Sequence, residues 1–333
     1  MIGSGANAGA LVRRRHDGDA CAQFRSNLRR AVATRGAHVI AALAVLWFCL
    51  ASTVATAANA TLGVVPGEFV VERGYAPSPL GQIHFQDVRP PRLDASQPVY
   101  VLLHQVPWFH IYYNGAQAEL ARRGARSITF DTPGYGLSAR PTEPPTIADY
   151  ARAITAAMQH LHLRRVVLVG HHTGATIGVE IARTKPELIS RLVLHGVALY
   201  TPEEAAARLA APHWDQTYRP EGEHLSDRWL YLKGRIAGSP DSVQWSVISL
   251  YLAGHNEWFG HHAVFRYDMA TALRALRTPV TVLSNTDDLL DFTFERVRAL
   301  RSDFRFRHLD SHSSNMAFDE PAAWVDAVAT NGR

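Results

Sequence analysis

From residue 69 onward, short apolar segments alternate with longer segments whose apolar residues recur at helical spacing. Strands that are apolar along their whole length must be covered on both faces, which is typical of parallel sheets flanked by helices. The sequence therefore predicts an α/β fold with a mostly parallel, doubly wound sheet. The predicted strands are, in chain order, 69–74, 82–88, 99–104, 127–130, 166–170, 192–196, 280–284 and 304–309.

Two helical regions are predicted from their local patterns. The segment 146–161 begins with Thr146 and Asp149 at the spacing of a capping box and continues with apolar residues at helical spacing. Residues 198–277 interrupt the alternation with a helical insertion before the penultimate strand. Such an insertion is expected to form a lid over the carboxyl ends of the strands, where ligands bind. Its aromatic residues are expected to form mainly the core of the lid: Trp214, Trp229, Tyr231, Trp245, Tyr251, Trp258, Phe259, Phe265 and Tyr267.

Residues 1–60 differ in composition from the rest of the chain. They contain seven arginines against two aspartates, then the apolar stretch 39–54, then an alanine-rich segment. This order is typical of a secretory signal and predicts export to the periplasm or the cell exterior. The alternative is an uncleaved anchor that associates the protein with a membrane. The predicted organisation is thus a leader at 1–60, a core in two parts at 61–197 and 278–333, and a lid at 198–277.

Charge and cysteine content exclude some functions for the rest of the chain. The whole chain carries a formal net charge of +4 and residues 1–60 carry +5, so residues 61–333 carry −1. A nearly neutral body without a run of basic residues gives no electrostatic reason to expect nucleic-acid binding. Both cysteines, Cys21 and Cys49, lie in the leader. The remaining chain therefore offers no disulfide, thiol nucleophile or thiolate metal ligand.

The segment "VGHHTGA", residues 169–175, joins a predicted strand to a predicted helix. Gly170 and Gly174 flank His172 at equal distance, and small residues at these positions permit a turn so sharp that the central residue is exposed at the top of the sheet. The spacing predicts a nucleophile elbow with His172 at its centre.

In these features the chain resembles the α/β-hydrolase family, in particular the lid-bearing group of esterases, epoxide hydrolases, haloalkane dehalogenases and carbon–carbon bond hydrolases. The resemblance covers about residues 69–327. It includes "LLHQVPW" at 102–108, which is similar to the oxyanion motif of that group, and "DTPGYGLSARP" at 131–141. The resemblance implies that the backbone N–H groups of Val106 and Thr173 stabilise an oxyanion.

The chain departs from the pattern of that family at two positions. His172 stands where the family has serine, aspartate or cysteine, and Gln105 replaces a glycine of the oxyanion motif. His104 and His171 are placed as the motif histidines of the family are, so they are expected to be structural residues that form hydrogen bonds.

The resemblance also implies an acid after strand 280–284 and a histidine after the last strand. Asp288 is the favoured acid, with Asp287 as the alternative. Counting from the end of the last strand selects His312, whereas counting back from Pro321 selects Ser314. His312 is the favoured residue, and Ser314 would exchange serine and histidine between the two corners of the triad.

The sequence therefore predicts a hydrolase of a small, largely apolar ester-like substrate, in which His172 is the nucleophile or the general base. Asp288 would orient His312 as its partner. The competing hypothesis is a catalytically degenerate protein that binds a small hydrophobic ligand without turnover. We expect no cofactor and no metal, although His172, His312 and Asp288, with His171 or His104 nearby, have donor types that metals accept.

Overall fold

The computed structural model describes residues 69–94 and 96–329. The predicted leader, including its apolar stretch 39–54, lies outside these residues. Among the described residues, no helix is both long enough and apolar enough to cross a membrane.

Eight strands form one sheet within the described residues, in the spatial order β1-β2-β4-β3-β5-β6-β7-β8. The β1–β2 and β2–β4 pairs are antiparallel, and all other neighbours are parallel. The predicted strands and the predicted fold class are thereby confirmed. The strands are β1 (Val70–Ala76), β2 (Ile83–Arg89), β3 (Tyr100–Leu103), β4 (Ser127–Phe130), β5 (Val166–His171), β6 (Ile189–His195), β7 (Val280–Asn285) and β8 (Arg305–Leu309).

Apolar side chains on both faces of the central strands explain why this sheet is covered twice. In β3, Val101 and Leu103 face one hydrophobic cluster, whereas Tyr100 and Leu102 face another. This alternation follows from the two-residue period of a strand. The covering helices are α1 (Asn114–Arg122), α2 (Ile147–His160), α3 (Thr173–Thr184), α9 (Phe294–Leu300), α10 (Met316–Asp319) and α11 (Pro321–Ala329).

The predicted capping box of α2 is present. The Thr146 hydroxyl accepts the Asp149 N–H at 3.2 Å, and the Asp149 carboxylate accepts the Thr146 N–H at 2.9 Å. These bonds satisfy two N–H groups that a helix terminus leaves without acceptors.

Five further helices lie between β6 and β7, in the segment predicted as a lid. Trp229 and Tyr251 pack against a small hydrophobic cluster formed by Leu232, Val243 and Val247. These two aromatic residues thus contribute to packing within the insertion. The helices are α4 (Pro202–Ala210), α5 (Glu223–Lys233), α6 (Pro240–Ala253), α7 (Phe259–Phe265) and α8 (Met269–Ala275).

The Asp131 side chain, just after β4, joins three parts of the fold beneath the lid. Its carboxylate accepts the backbone N–H groups of His110 at 2.6 Å and Leu137 at 2.9 Å, and it also accepts the Nδ1–H groups of His84 and His110. Burial by itself raises the pKa of Asp131, but the hydrogen bonds from His110 and His84 outweigh burial and hold this pKa well below its usual range. The carboxylate therefore stays ionised while fully buried.

We expect Asp131→Asn to lower the free energy of unfolding by about 2–3 kcal/mol, because an amide replaces a carboxylate that accepts charge-assisted hydrogen bonds. Urea unfolding at neutral pH measures this loss. Asp310→Asn, which changes an exposed aspartate, is the matched control and should cost less than about 0.5 kcal/mol.

The loss caused by Asp131→Asn should also depend on pH. The pKa of Asp131 is lowered on folding, so the ionised form stabilises the wild type above about pH 4, the pKa of an unfolded aspartate, and this stabilisation disappears as pH falls. The difference between wild type and variant should therefore be constant near neutral pH and shrink below about pH 4. A difference that grows on acidification would contradict this assignment.

Candidate active site

The turn between β5 and α3 holds His172 in a backbone conformation that side chains rarely adopt, with φ +48° and ψ −107°. A Cβ atom on Gly170 would lie 2.3 Å from the Gly174 carbonyl oxygen, and one on Gly174 would lie 2.1 Å from the Leu103 carbonyl oxygen. Both positions therefore require glycine. The turn has the geometry predicted for a nucleophile elbow, and backbone strain of this kind is concentrated at functional sites.

His172 contacts the Asp288 carboxylate directly. Its Nε2 lies 3.0 Å from both carboxylate oxygens, and its side chain is 13% exposed and lines a cavity. The Nδ1 atom of His172 forms no hydrogen bond with the described residues. It is also not one of the polar atoms that are fully buried without a partner, so it is accessible. The ring thus has one nitrogen fixed by a carboxylate and the other accessible from the cavity.

Asp288 is buried and stays ionised. Burial raises its pKa, but the electrostatic interaction with His172 and hydrogen bonds from His171 and His172 lower it more, so the pKa lies well below the usual range. The Leu290 N–H also donates to Oδ1 at 2.7 Å. An ionised carboxylate only accepts hydrogen bonds, so the proton of His172 is placed on Nε2 and the lone pair on Nδ1.

His171 is the second histidine on this carboxylate. Its Nε2–H donates to Asp288 Oδ2 at 3.2 Å, and its Nδ1 accepts the Tyr112 hydroxyl at 2.8 Å. Burial lowers the pKa of His171 well below its usual range, so the ring is neutral. This arrangement gives His171 the structural role that was expected of it.

His195, at the end of β6, is buried behind His171, and the two rings stack with centroids 4.5 Å apart. Its Nδ1 accepts the Trp324 indole N–H at 3.1 Å, so its Nε2–H donates to the Asn285 Oδ1 at 2.9 Å. Sequence reasoning missed Tyr112, Asn285 and Trp324, because each reaches the site from a distant part of the chain and none belongs to a local motif.

Gly196, directly after β6, makes room for the His172 ring. A Cβ atom at this position would lie 2.3 Å from Cδ2 and 2.6 Å from Nε2 of His172, and 2.9 Å from Asp288 Oδ1. The residue also has φ +63°, which favours glycine. Gly196 was not predicted, although a glycine that directly follows an apolar strand is a signal that could have found it.

The predicted oxyanion residues line the same cavity. Thr173 is the first residue of α3, so its N–H has no acceptor within the helix, and Val106 lies across the cavity wall beside Gln105. The Gln105 amide donates to Asn315 Oδ1 at 2.6 Å and thereby ties this loop to the loop after β8.

His104 has the structural role expected for it. Its Nε2 accepts the Thr132 N–H at 2.9 Å, so its Nδ1–H donates to the Gln105 carbonyl oxygen, also at 2.9 Å. Both ring nitrogens are thus engaged by backbone groups. The ring holds the oxyanion loop to the loop that follows β4.

The structure corrects the prediction for the last corner of the triad. His312 is 73% exposed, and its Nδ1 lies 2.9 Å from the Asp287 carboxylate, not from Asp288. The predicted pairing of His312 with Asp288 is therefore wrong. The loop after β8 turns outward at His312 and returns at Ser314, which lines the cavity.

Ser314 is held by backbone groups. Its hydroxyl donates to the Asp287 carbonyl oxygen at 2.8 Å and accepts the Ala237 N–H at 3.2 Å. Among the described residues no histidine is hydrogen-bonded to this hydroxyl. The alternative prediction is that Ser314 and His172 exchange their positions in the triad. Ser314 does line the cavity, but its side chain forms no hydrogen bond with His172.

The cavity has a volume of about 580 Å³ and lies between the elbow and the lid. Five aromatic residues of the lid segment line it, and they are thus available for ligand contacts: Tyr200, Trp214, Tyr231, Trp258 and Phe265. The sheet side of the cavity includes His172, Thr173 and Gln105. A concave site that combines aromatic and apolar side chains with convergent polar groups is typical of a small-molecule site.

Two groups of side chains have the donor types that divalent transition metals accept. One is His84, His110 and Asp131, whose carboxylate is already occupied by the structural hydrogen bonds of the fold. The other is His171, His172 and Asp288. The predicted metal alternative thus loses His312, and His171 takes its place. An ion bound there would require both Nε2 atoms to lose their protons.

Comparisons with known proteins agree with this fold. A family model described as "alpha/beta hydrolase fold" matches residues 98–230. The chain is 32% identical over 103 residues to an uncharacterized protein of Mycobacterium tuberculosis, and the match covers 31% of this chain and 30% of that protein. It is 26% identical over 168 residues to 3-oxoadipate enol-lactonase 2 of Acinetobacter baylyi, which covers 48% of this chain and 61% of that enzyme. The chain thus spans less than a third of the first of these relatives.

Solved structures show the same fold at low sequence identity. An enol-lactonase from Burkholderia xenovorans superposes with a TM-score of 0.60 at 20% identity, over 77% of this chain and 98% of that chain. An epoxide hydrolase from Vigna radiata superposes with a TM-score of 0.59 at 16% identity, over 78% of this chain and 96% of that chain. With the elbow, the sheet order and the superpositions in agreement, the chain has the α/β-hydrolase fold, and its residues 98–230 match the model of that fold family.

Proposed function

We propose that this protein hydrolyses a small, largely apolar ester-like substrate and that Nδ1 of His172 is the reacting atom. One observation carries the proposal: the elbow residue is a histidine whose Nε2–H is bound by the ionised Asp288, while its Nδ1 is accessible from the cavity. The curated relatives named as hydrolases support the class of reaction.

Asp288 gives His172 the tautomer that the reaction needs. Because the carboxylate binds Nε2–H, the lone pair is on Nδ1, and the same carboxylate stabilises the imidazolium that forms when Nδ1 gains a proton or an acyl group. In most such sites the acid acts on a separate histidine. Here it acts on the elbow residue itself, so the proposed site uses two side chains, His172 and Asp288, instead of a triad.

Two routes use the same atom. Nδ1 can attack the substrate carbonyl to form an acyl-imidazole, which water then hydrolyses, or it can take a proton from the water that attacks. In both routes the negative charge that develops on the carbonyl oxygen would be stabilised by the N–H groups of Val106 and Thr173. Hydroxylamine trapping separates the routes. Only an acyl-imidazole intermediate would react with hydroxylamine to give a rapid burst of hydroxamate, with an amplitude set by the enzyme concentration.

We expect His172→Ala to lower kcat/KM for p-nitrophenyl esters by at least about 100-fold, because the general base or nucleophile is lost. The measurement uses the full chain with a p-nitrophenyl ester series at neutral pH. A chelator control and a metal-addition control show whether His171, His172 and Asp288 act through an ion. Equal faint rates for wild type and variant would favour the competing hypothesis of a protein that binds its ligand without turnover.

Two further variants separate the acid from the residue that was predicted as its partner. Asp288→Asn should also lower kcat, since an amide side chain no longer fixes the tautomer of His172 or stabilises an imidazolium. His312→Ala should leave the rate within about twofold of wild type, because His312 lies outside the cavity. A large loss in His312→Ala would restore the original triad assignment.

We expect Gly196→Ala to reduce kcat strongly, because the added methyl group would occupy the space of the His172 ring and push it away from Asp288. The loss in kcat should exceed the loss in Gly254→Ala, even if both variants lose a similar free energy of unfolding. Gly254→Ala is the matched control. Gly254 has a similar φ of +55°, but a Cβ atom there would meet no other atom within 4 Å. Similar losses of rate in the two variants would mean that backbone strain, not the position of His172, accounts for the effect.

A further inference from the structure

The lid side of the cavity contains arginine side chains that the proposed reaction does not use. We propose that Arg208 and Arg228 form a carboxylate-binding subsite, so that the ligand carries an anionic group at the end remote from His172. The identification of this ligand as a substrate rests on the proposed hydrolase function. The binding of the anion itself does not.

Arg228, on α5, is held by aromatic rings and forms no ion pair among the described residues. Burial lowers its pKa, and the Glu257 carboxylate on the same cavity wall partly offsets this. The Arg228 guanidinium carbon lies 4.5 Å from the centre of the Trp214 ring and 5.1 Å from the centre of the Tyr231 ring. Stacking fixes the guanidinium plane but leaves its N–H groups free for an acceptor in that plane. The Nε atom is buried and has no hydrogen-bond acceptor among the described residues. A buried donor without an acceptor is costly, so Arg228 has hydrogen-bonding capacity that the described residues do not satisfy.

Arg208, on α4, repeats the arrangement. Its guanidinium carbon lies 4.5 Å from the centre of the Tyr200 ring and 5.9 Å from the centre of the Phe265 ring. In the part of the chain that the structure describes, Arg208 forms no ion pair and no side-chain hydrogen bond. Arg208 and Arg228 come from different helices and line the same cavity. Two arginines can bind the two oxygens of one carboxylate.

Some arginines elsewhere in the described chain are paired with acids, and others, such as Arg140 and Arg307, donate to backbone carbonyl oxygens. Arg126 donates to Asp87, Arg183 to Glu180, and Arg296 to Glu204. The two cavity arginines therefore differ from these in what their N–H groups contact. Free guanidinium N–H groups that face a concave site, rather than solvent alone, are expected where a ligand supplies the anion.

Two acids line the same cavity, and neither forms an ion pair with these arginines among the described residues. They are Asp215 and Glu257. With Arg235 included, the cavity wall has three arginines against two acids, so its formal charge is positive when its histidines are neutral. Burial lowers the pKa of His261, which lines the same cavity, to about 4, and Arg228 and Arg208 contribute to this shift.

The binding test uses adipate, a dicarboxylate, and the neutral diol of the same length as the probes. Isothermal titration calorimetry on the full chain at low ionic strength should show that adipate binds and that the diol binds at least about tenfold more weakly. Arg228→Met and Arg208→Met should each weaken adipate binding by about tenfold or more. Two variants are used so that a folding defect in one, which circular dichroism detects, does not decide the result.

Arg298→Met is the matched control. Arg298 also stacks on aromatic rings, at 5.0 Å from the centre of the Phe294 ring, but it lies outside the cavity and pairs with Glu295. Its substitution should leave adipate binding within about twofold. The subsite is overturned if adipate binds no better than the diol, or if the cavity variants and Arg298→Met have the same effect.

A kinetic comparison keeps this proposal separate from the proposed function. Mono-p-nitrophenyl adipate and p-nitrophenyl hexanoate have six-carbon acyl chains, and they differ by a terminal carboxylate. The ratio of their kcat/KM values should favour the adipate ester and should fall about tenfold in Arg228→Met, through KM. Hydrolysis that favours the hexanoate would overturn the subsite and leave the hydrolase standing. Adipate binding without any ester hydrolysis would overturn the hydrolase proposal and leave the subsite standing.

Discussion

The buried carboxylate of Asp288 is the interaction on which the rest of the site depends. A charge removed from water is tolerated only when its oxygens are paired and hydrogen-bonded. Here the partners are His172, His171 and the Leu290 N–H. Because these groups donate hydrogen bonds to the ionised carboxylate, the nitrogen that carries the proton in each ring follows from the position of Asp288. The orientation of the elbow histidine thus depends on a residue in the turn that follows another strand.

Three neighbouring strands deliver this arrangement. β5 ends in His171 and leads into His172, β6 ends in His195 and leads into Gly196, and β7 leads to Asp288. The carboxyl ends of parallel strands lie at one edge of the sheet, which is why residues far apart in sequence meet there. Because Gly196, directly after β6, has no side chain, the imidazole ring of His172 can occupy the space that a Cβ atom there would fill.

The cavity has two chemically different ends. The sheet end carries the histidine and the backbone N–H groups, which suit a reacting carbonyl. The lid end carries aromatic rings with arginines stacked on them. Apolar surface of this kind binds the body of a small molecule, whereas fixed polar groups determine its orientation. In the proposed function, the lid would contribute recognition and the sheet would contribute the reacting atom.

Local patterns in the sequence determined the strands, the fold class and the glycines of the elbow, and the family resemblance selected Asp288, which contacts His172 in the structure. They could do so because backbone period, turn sterics and distance from a strand end act over a few residues. The tertiary structure alone decided that His312 points outward, that Ser314 faces the cavity, and that His172 takes the acid directly. Those outcomes depend on the path of the loop after β8 and on contacts from Tyr112, Asn285 and Trp324, which no local pattern specifies. His312 and Ser314 are only two residues apart in this loop, yet one is exposed and the other lines the cavity. Only the packing of the loop against the rest of the chain determines which of them enters the cavity.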